Sequence, residues 1–171
     1  MVGILLCMTQ RLIIIRGNSA SGKSVVAKRL RENMHGKVAL IGQDALRRDI
    51  LMERDSLDNT DVLGLLEQTV NYCFEKGYDV ILEGILGTQK YLPTIQSIIS
   101  HNNCATFTFY MDVTLEETIR RHATKPVAAE FGEEKIREWY KPNHYLGLDG
   151  EIIIPENLSI GECVDLIQKT L

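Results

Sequence analysis

Eight consecutive residues, Gly17-Asn18-Ser19-Ala20-Ser21-Gly22-Lys23-Ser24, have the types and spacing needed to hold a triphosphate. They fit GxxxxGK[ST] in full, between an apolar run and a helical one, which is the context this pattern requires. Gly17 and Gly22 permit backbone conformations closed to other residues, so successive N–H groups can turn inward on phosphate oxygens. Lys23 is expected to neutralise the β and γ phosphates of ATP, and the Ser24 hydroxyl to hold the Mg²⁺ that bridges them. Such a cradle serves kinases, switches and motors alike. It identifies the donor and leaves the reaction open.

Other residues narrow it. The second apolar run ends in Ile41-Gly42-Gln43-Asp44, and strand ends of this kind face the ligand crevice of an open α/β sheet. Asp44 has two readings: a carboxylate that takes the proton of an attacking hydroxyl, or an N-cap for the next helix. Arg47 and Arg48 follow, and one of them can reach an anionic or hydroxylated acceptor. Glu83, before Gly84 at the end of a third run, suits a metal-supporting carboxylate, an acceptor contact or an exposed strand-end acid. Arg121 and Lys125 lie four apart, so both can face one phosphate group, with Arg120 pointing elsewhere. Their competing reading is a solvated basic face paired with Glu116 and Glu117. Arg137 is a further cation of the same region. The four histidines show no metal-ligand spacing, and Trp139 and Tyr140 read as packing residues.

The elements that must position these groups follow from alternation of β-branched apolar runs with helical periodicity, the sign of βαβ units around a parallel sheet. Strands are expected at 11–16, 37–41, 78–83, 105–111 and 151–154. Helices are expected at 22–34, 44–52, 60–75 and 88–100, then from Thr114, at 133–140 and from Ser159. Thr114-Leu115-Glu116-Glu117 and the stretch from Ser159 to Glu162 both match the capping box. The polar stretch 123–132, with Pro126 inside, should break the helical path and make a lid at about 123–140. The fold class expected is therefore three-layer α/β/α with a parallel sheet of about five strands, in one domain over the 171 residues.

Composition agrees with a folded chain, being 44% apolar and 25% charged. A net charge of -4 gives no broad basic surface, so a small-molecule hydroxyl acceptor is favoured over a nucleic acid, although a nucleic-acid end could still dock in a local basic pocket. The four cysteines, Cys7, Cys73, Cys104 and Cys163, are scattered and read as reduced, mostly buried thiols. The apolar stretch 2–8 lacks a basic flank and a cleavage site and is too short to span a bilayer. A cytoplasmic location with no membrane contact is expected, and Met1 and Met8 both remain candidate starts.

The blocks RGNSASGKS, IGQDALRRDI, VILEGIL, ETIRRHATKP and FGEEKIREWY resemble small P-loop kinases. That group includes the kinase domain of phage polynucleotide kinase, the zeta toxins and chloramphenicol phosphotransferase, and the sequence looks most like a bacterial family of poorly characterised ATP-binding kinases. The resemblance implies that Asp44 activates the attacking hydroxyl, that Arg47 stands near it, and that Arg121 and Lys125 correspond to a lid pair of arginines. Lysine is a departure there, because it lacks the planar fork of arginine. Glu83-Gly84 is similar to a strand end of the zeta toxins. The implied reaction is ATP-dependent phosphorylation of a hydroxyl. The alternatives are a 5′-hydroxyl polynucleotide kinase and a nucleotide-dependent regulatory switch, the latter without the NKxD signature of GTPases.

Overall fold

The computed structural model describes residues 10–54, 56, 58, 60–124 and 132–171. Strands β1 (Arg11–Gly17), β2 (Val38–Gly42), β3 (Asp79–Gly84), β4 (Ala105–Asp112) and β5 (Ile152–Pro155) form a wholly parallel sheet in the order β2-β3-β1-β4-β5. Helices α1 (Lys23–Asn33), α2 (Asp61–Glu75), α3 (Thr88–Asn102), α4 (Leu115–Ala123), α5 (Glu133–Trp139) and α6 (Ile160–Thr170) connect or flank the strands.

The central strand reads apolar throughout because both of its faces are covered. Leu12 and Ile14, with Val80 and Leu82, pack on Leu66 and Val70 of α2 and Ile95 and Ile98 of α3. Ile13 and Ile15, with Ile81 and Phe109, pack instead on Val26 and Leu30 of α1 and Val164 and Ile167 of α6. The alternation along RLIIIR thus assigns each isoleucine to one of two helical layers, as the expected three-layer class requires. Removing such a fully buried side chain to Ala costs about 2–5 kcal/mol.

The strand order also creates the crevice. β1 lies between β3 and β4, so the chain leaves β1 toward one side of the sheet and later crosses to the other, the switch point at which open α/β sheets bind ligands. Register then aligns the strand ends, with Arg16 opposite Gly84, Gly17 opposite Met111 and Gly42 opposite Glu83.

Two local expectations are corrected. The stretch expected as an α-helix at 44–52 is a π-helical turn, Ala45–Ile50, in which Leu51 N–H donates to Leu46 O at 3.2 Å. A double clasp closes it: Glu53 N–H donates to Arg47 O at 2.8 Å, and Arg47 Nη1 donates to Glu53 O at 2.9 Å. At α4 the capping box forms by half. Thr114 Oγ accepts from Glu117 N–H at 3.4 Å, but the Glu117 carboxylate turns to Arg120 and Arg121, each at 2.6 Å. Charged donors outcompete a single neutral amide, and Glu156 takes the vacated role, accepting from Thr114 N–H at 2.9 Å. The box at α6 forms completely, between Ser159 and Glu162.

Of the expected lid at 123–140, α5 is seen, whereas residues 125–131, including Lys125 and Pro126, lie outside the described residues. Cys73, Cys104 and Cys163 are free thiols whose pKa values burial raises; Cys7 lies outside the described residues. No helix among those residues is long and apolar enough to cross a membrane.

Candidate active site

The phosphate loop leaves β1 under steric compulsion. A Cβ at Gly17 would stand 2.9 Å from the Met111 carbonyl oxygen of the adjoining strand, so no larger residue fits that approach without a shift. Gly22 has φ 102, in the left-handed region, and is the N-cap of α1. It offers no side chain to the helix's open amides, and no acidic residue occupies the first turn. These amides and the positive end of the helix dipole therefore face the crevice without an internal counter-anion. Ser21 Oγ, buried and without a hydrogen-bond partner, adds an unsatisfied polar group beside them. Lys23 is buried, with Nζ donating to Asn18 O at 3.2 Å inside the loop. The cradle fits a polyphosphate.

Beside it, Ser24 Oγ donates to Glu83 Oε2 at 3.0 Å. Burial pushes the Glu83 carboxyl above its ordinary 4.5, Lys23 and Ser24 oppose the rise, and Asp44 reinforces it. These influences put Ser24, Lys23, Glu83 and Asp44 in one electrostatic neighbourhood at the ends of β1, β2 and β3. A hydroxyl paired with a carboxylate is a hard-oxygen set of the kind Mg²⁺ takes alongside substrate phosphates, so the residues present fit that ion.

Asp44 makes no capping hydrogen bond. Its Oδ1 accepts from Arg47 Nη2 at 2.7 Å, and Arg47 is further held by the clasp on Glu53. Arg47 therefore fixes the Asp44 carboxylate, while Arg48 is exposed. Asp44 and both arginines line a cleft of about 770 Å³ that begins at Asn18 and Ser19 of the phosphate loop. Its other walls come from the segment after the π-helical turn, the start of α3, and the chain following α5.

The remaining expected cations divide. Arg121 donates from Nη1 to Ser21 O at 2.7 Å and from Nη2 to Glu156 O at 3.0 Å, while Nε meets Glu117. It thus braces the phosphate loop, and it also makes the Glu117 pairing that the competing reading anticipated. The two arginines hold the Glu117 carboxyl down to about 2. Arg120 is spent on Glu117, and Arg137 pairs with Glu133 at 2.6 Å on an exposed face away from the cleft lining. Lys125 lies outside the described residues.

Sequence reasoning missed a buried polar network behind the loop. Arg16 is fully buried, donates to Leu86 O at 2.9 Å, pairs with Glu151 at 3.4 Å and lies 5.6 Å over the Tyr110 ring. Glu151 in turn accepts from Leu146 N–H at 2.8 Å, anchoring the irregular chain after α5. Asn18 completes the link: Nδ2 donates to Lys141 O at 2.9 Å, and Oδ1 accepts from Lys141 N–H at 3.1 Å. A cation ending an otherwise apolar strand was the available signal for Arg16, since such a charge needs buried partners. Nothing local marks its partners 70 and 135 residues away. His144, also in the cleft lining, is pushed below its ordinary 6.5 by burial, then by Arg16 and Lys141.

Residues 12–141 match the model of a family described as AAA domain. No curated protein matches the chain by sequence. Among solved structures, the APS kinase CysC of Mycobacterium tuberculosis in complex with AMPPNP and APS is similar with a TM-score of 0.72 and 18% identity, over 94% of this chain and 96% of that one. A gluconokinase from Sinorhizobium meliloti 1021 is similar with a TM-score of 0.65 and 14% identity, over 92% of this chain and 89% of that one. The Pnkp1/Rnl/Hen1 RNA repair complex gives a TM-score of 0.57 and 16% identity, over 82% of this chain and 50% of that one. The fold is the kinase-like α/β architecture built on a phosphate loop, which these structures share.

Proposed function

The chain belongs to the AAA domain family, and on that premise we propose that it is a kinase that transfers the γ-phosphoryl group of ATP to a hydroxyl of a small molecule held in the cleft. The observation that carries this reading is the position of Asp44, clasped by Arg47 at 2.7 Å, in the wall of the cleft that opens from the phosphate loop. A nucleotide switch needs the cradle and has no use for a positioned carboxylate facing a second cavity.

In this reading the loop amides and Lys23 fix the donor phosphates. Mg²⁺, held by Ser24 and Glu83, would offset charge on the β and γ phosphates. Asp44 Oδ1 is committed to Arg47, which leaves Oδ2 to accept the hydroxyl proton. The acceptor oxygen forms its bond to the γ phosphorus as the bond from that phosphorus to the bridging oxygen of ADP breaks; ADP carries away the electron pair and Asp44 the proton. Arg121 holds Ser21 and so positions the loop. Lys125, four residues further on, is the proposed second cation over the donor. The phosphorylated product then leaves by the same cleft.

The test is γ-labelled ATP and Mg²⁺ with nucleosides, nucleotides, nucleotide sugars, aminoglycosides, sugars and 5′-hydroxyl oligonucleotides, using the wild type and Lys23→Ala. Label in a small hydroxyl compound with the wild type alone is the expected result. Label confined to the oligonucleotide end would assign a polynucleotide kinase. Absence of any transfer, together with a partner affinity that differs between ATP and ADP, would assign the regulatory switch.

A further inference from the structure

Beside the proposed base stands a polar group that the transfer step does not use. Gln43, the residue before Asp44, is only 2% exposed and lines the cleft. Its Nε2 donates to Tyr91 OH at 3.0 Å in a buried hydrogen bond. Its Oε1 meets no donor among the described residues. Nor does it belong with the polar atoms sealed inside without a partner, which are Arg16 Nε, Ser21 Oγ, Arg47 Nε, Glu53 Oε2 and Thr118 Oγ1. An unpartnered oxygen that is not sealed in has the cleft as its outlet. The side chain is also wedged in place: a Cβ at Gly84 would stand 2.6 Å from Gln43 Cβ and 3.0 Å from Oε1, so the seat exists because residue 84 is glycine. A nearly buried amide oxygen with no partner is costly unless a ligand satisfies it.

We infer that Gln43 selects the acceptor: its Oε1 accepts a hydrogen bond from a second hydroxyl next to the one that Asp44 activates. The acceptor is then a vicinal diol, the chemistry of a sugar, an alditol or a ribose. This rests on the kinase reading above and deepens it. Gln43 and Asp44 are consecutive and both line the cleft; with Asp44 Oδ1 taken by Arg47 at 2.7 Å, Oδ2 and the Gln43 amide oxygen form a neighbouring pair of acceptors. Such a pair matches two adjacent O–H donors. The opposite end of the same wall adds to it. Tyr91, which holds Gln43, donates its N–H to Gly87 O at 2.9 Å across the first turn of α3, and a Cβ at Gly87 would lie 3.7 Å from His144 Cε1. Burial, then Arg16 and Lys141, push His144 below its ordinary 6.5, so at neutral pH its ring is uncharged and suits a further hydroxyl. A site built to bond a hydroxyl rejects the analogue that lacks it, because its own polar group is left unpaired.

The test compares hexoses, alditols and nucleosides with analogues in which one hydroxyl at a time is replaced by hydrogen or by fluorine, which fills similar space and cannot donate. Affinity is read by calorimetry with the donor site filled by a non-hydrolysable ATP analogue, and transfer with γ-labelled ATP; the arm that binds identifies the source of the diol. The parent is expected to bind about 10–100-fold more tightly than the analogues altered at the neighbouring hydroxyl. In Gln43→Leu that gap should close to within about twofold, because the parent weakens and the analogues do not. A gap that persists in Gln43→Leu, with parent and analogues weakened alike, would make the residue structural and overturn the inference. Equal affinity of the wild type for parent and analogues would overturn it without recourse to a variant. So would a fluoro analogue that binds like its parent, since the amide would then present its NH₂, or a failure of every diol to bind. Selective binding without label transfer would leave the diol standing and sink the kinase reading; transfer to an acceptor with no neighbouring hydroxyl would do the reverse.

Discussion

The phosphate cradle and the cleft proposed to hold the acceptor share Asn18 as a boundary, yet they are built by opposite means. The cradle is eight contiguous residues whose chemistry resides mainly in backbone amides, shaped by Gly17 and Gly22. The cleft is assembled from side chains drawn from four stretches of chain between Asn18 and His144, brought together only by the sheet order β2-β3-β1-β4-β5. A backbone site tolerates sequence drift in its neighbours, because main-chain donors are always present. A side-chain site can be rewritten by a few substitutions, so one donor half can serve many acceptors.

The largest effect expected from breaking one half alone comes from Lys23→Ala. Transfer should fall by about 10²–10³-fold, as on removing a group that stabilises transition-state charge, while affinity for the acceptor found in the labelling test stays within about twofold of wild type. A parallel collapse of both affinities would erase the division into halves. Next in size, Glu83→Gln should weaken the apparent Mg²⁺ affinity of the reaction by about 10–100-fold, with a titration of rate against Mg²⁺ as the readout. The same variant should be the more stable protein at neutral pH. Burial raises the Glu83 carboxyl above 4.5, so the folded state binds that proton more tightly than the unfolded chain does. The stability that this group contributes is then full below about 4.5 and is lost as pH rises through the raised value. Urea unfolding between pH 4 and 8 should show that fall in the wild type and a flatter profile in Glu83→Gln.

Asn18→Ala sharpens the comparison by cutting the shared boundary. It removes two hydrogen bonds to Lys141, at 2.9 and 3.1 Å, and should cost about 1–3 kcal/mol of stability. Unlike Lys23→Ala, it should weaken donor and acceptor binding together, because the strap bearing Lys141 and His144 loses its tie to the loop. Denaturation and paired titrations would reveal an effect confined to one ligand, which would count against the tie. The smallest effect is acid-limited. Arg120 and Arg121 hold Glu117 at about 2, so the stability this pair adds is present above about 4.5 and is lost as pH falls toward 2. Glu117→Gln should flatten that limb of an acid-unfolding curve slightly, since Arg120, one of the two partners, is exposed.

What could be read in the sequence follows the same division. Leu12 to Ile15, the helical spacing of Val62, Leu66, Val70 and Phe74, and the loop from Gly17 to Ser24 carry their meaning over short distances, and the sheet, the α2 packing and the cradle were legible from them. Asp44 and Glu83 were legible as strand ends. The strand register, which sets Gly42 opposite Glu83, brings them together. The π-helical turn escaped because a helical pattern does not distinguish five-residue closure from four, and the Arg47–Glu53 clasp decides it. The capping box at Thr114 escaped for a similar reason, since Glu117 had a stronger local partner and Glu156 was 42 residues distant. Lys141 and His144 had no motif at all; their place in the cleft rests on the chain after α5 folding back over the strand ends through Arg16 and Glu151.

The claim on which everything else depends is that the two halves meet at Asp44. Its most direct test is single-turnover transfer from γ-labelled ATP, comparing the wild type with Asp44→Asn and measuring both ligand affinities alongside. Loss of transfer by about 10²–10⁴-fold, with donor and acceptor affinities within about twofold of wild type, is the predicted result. Undiminished transfer by Asp44→Asn at those same affinities would contradict it.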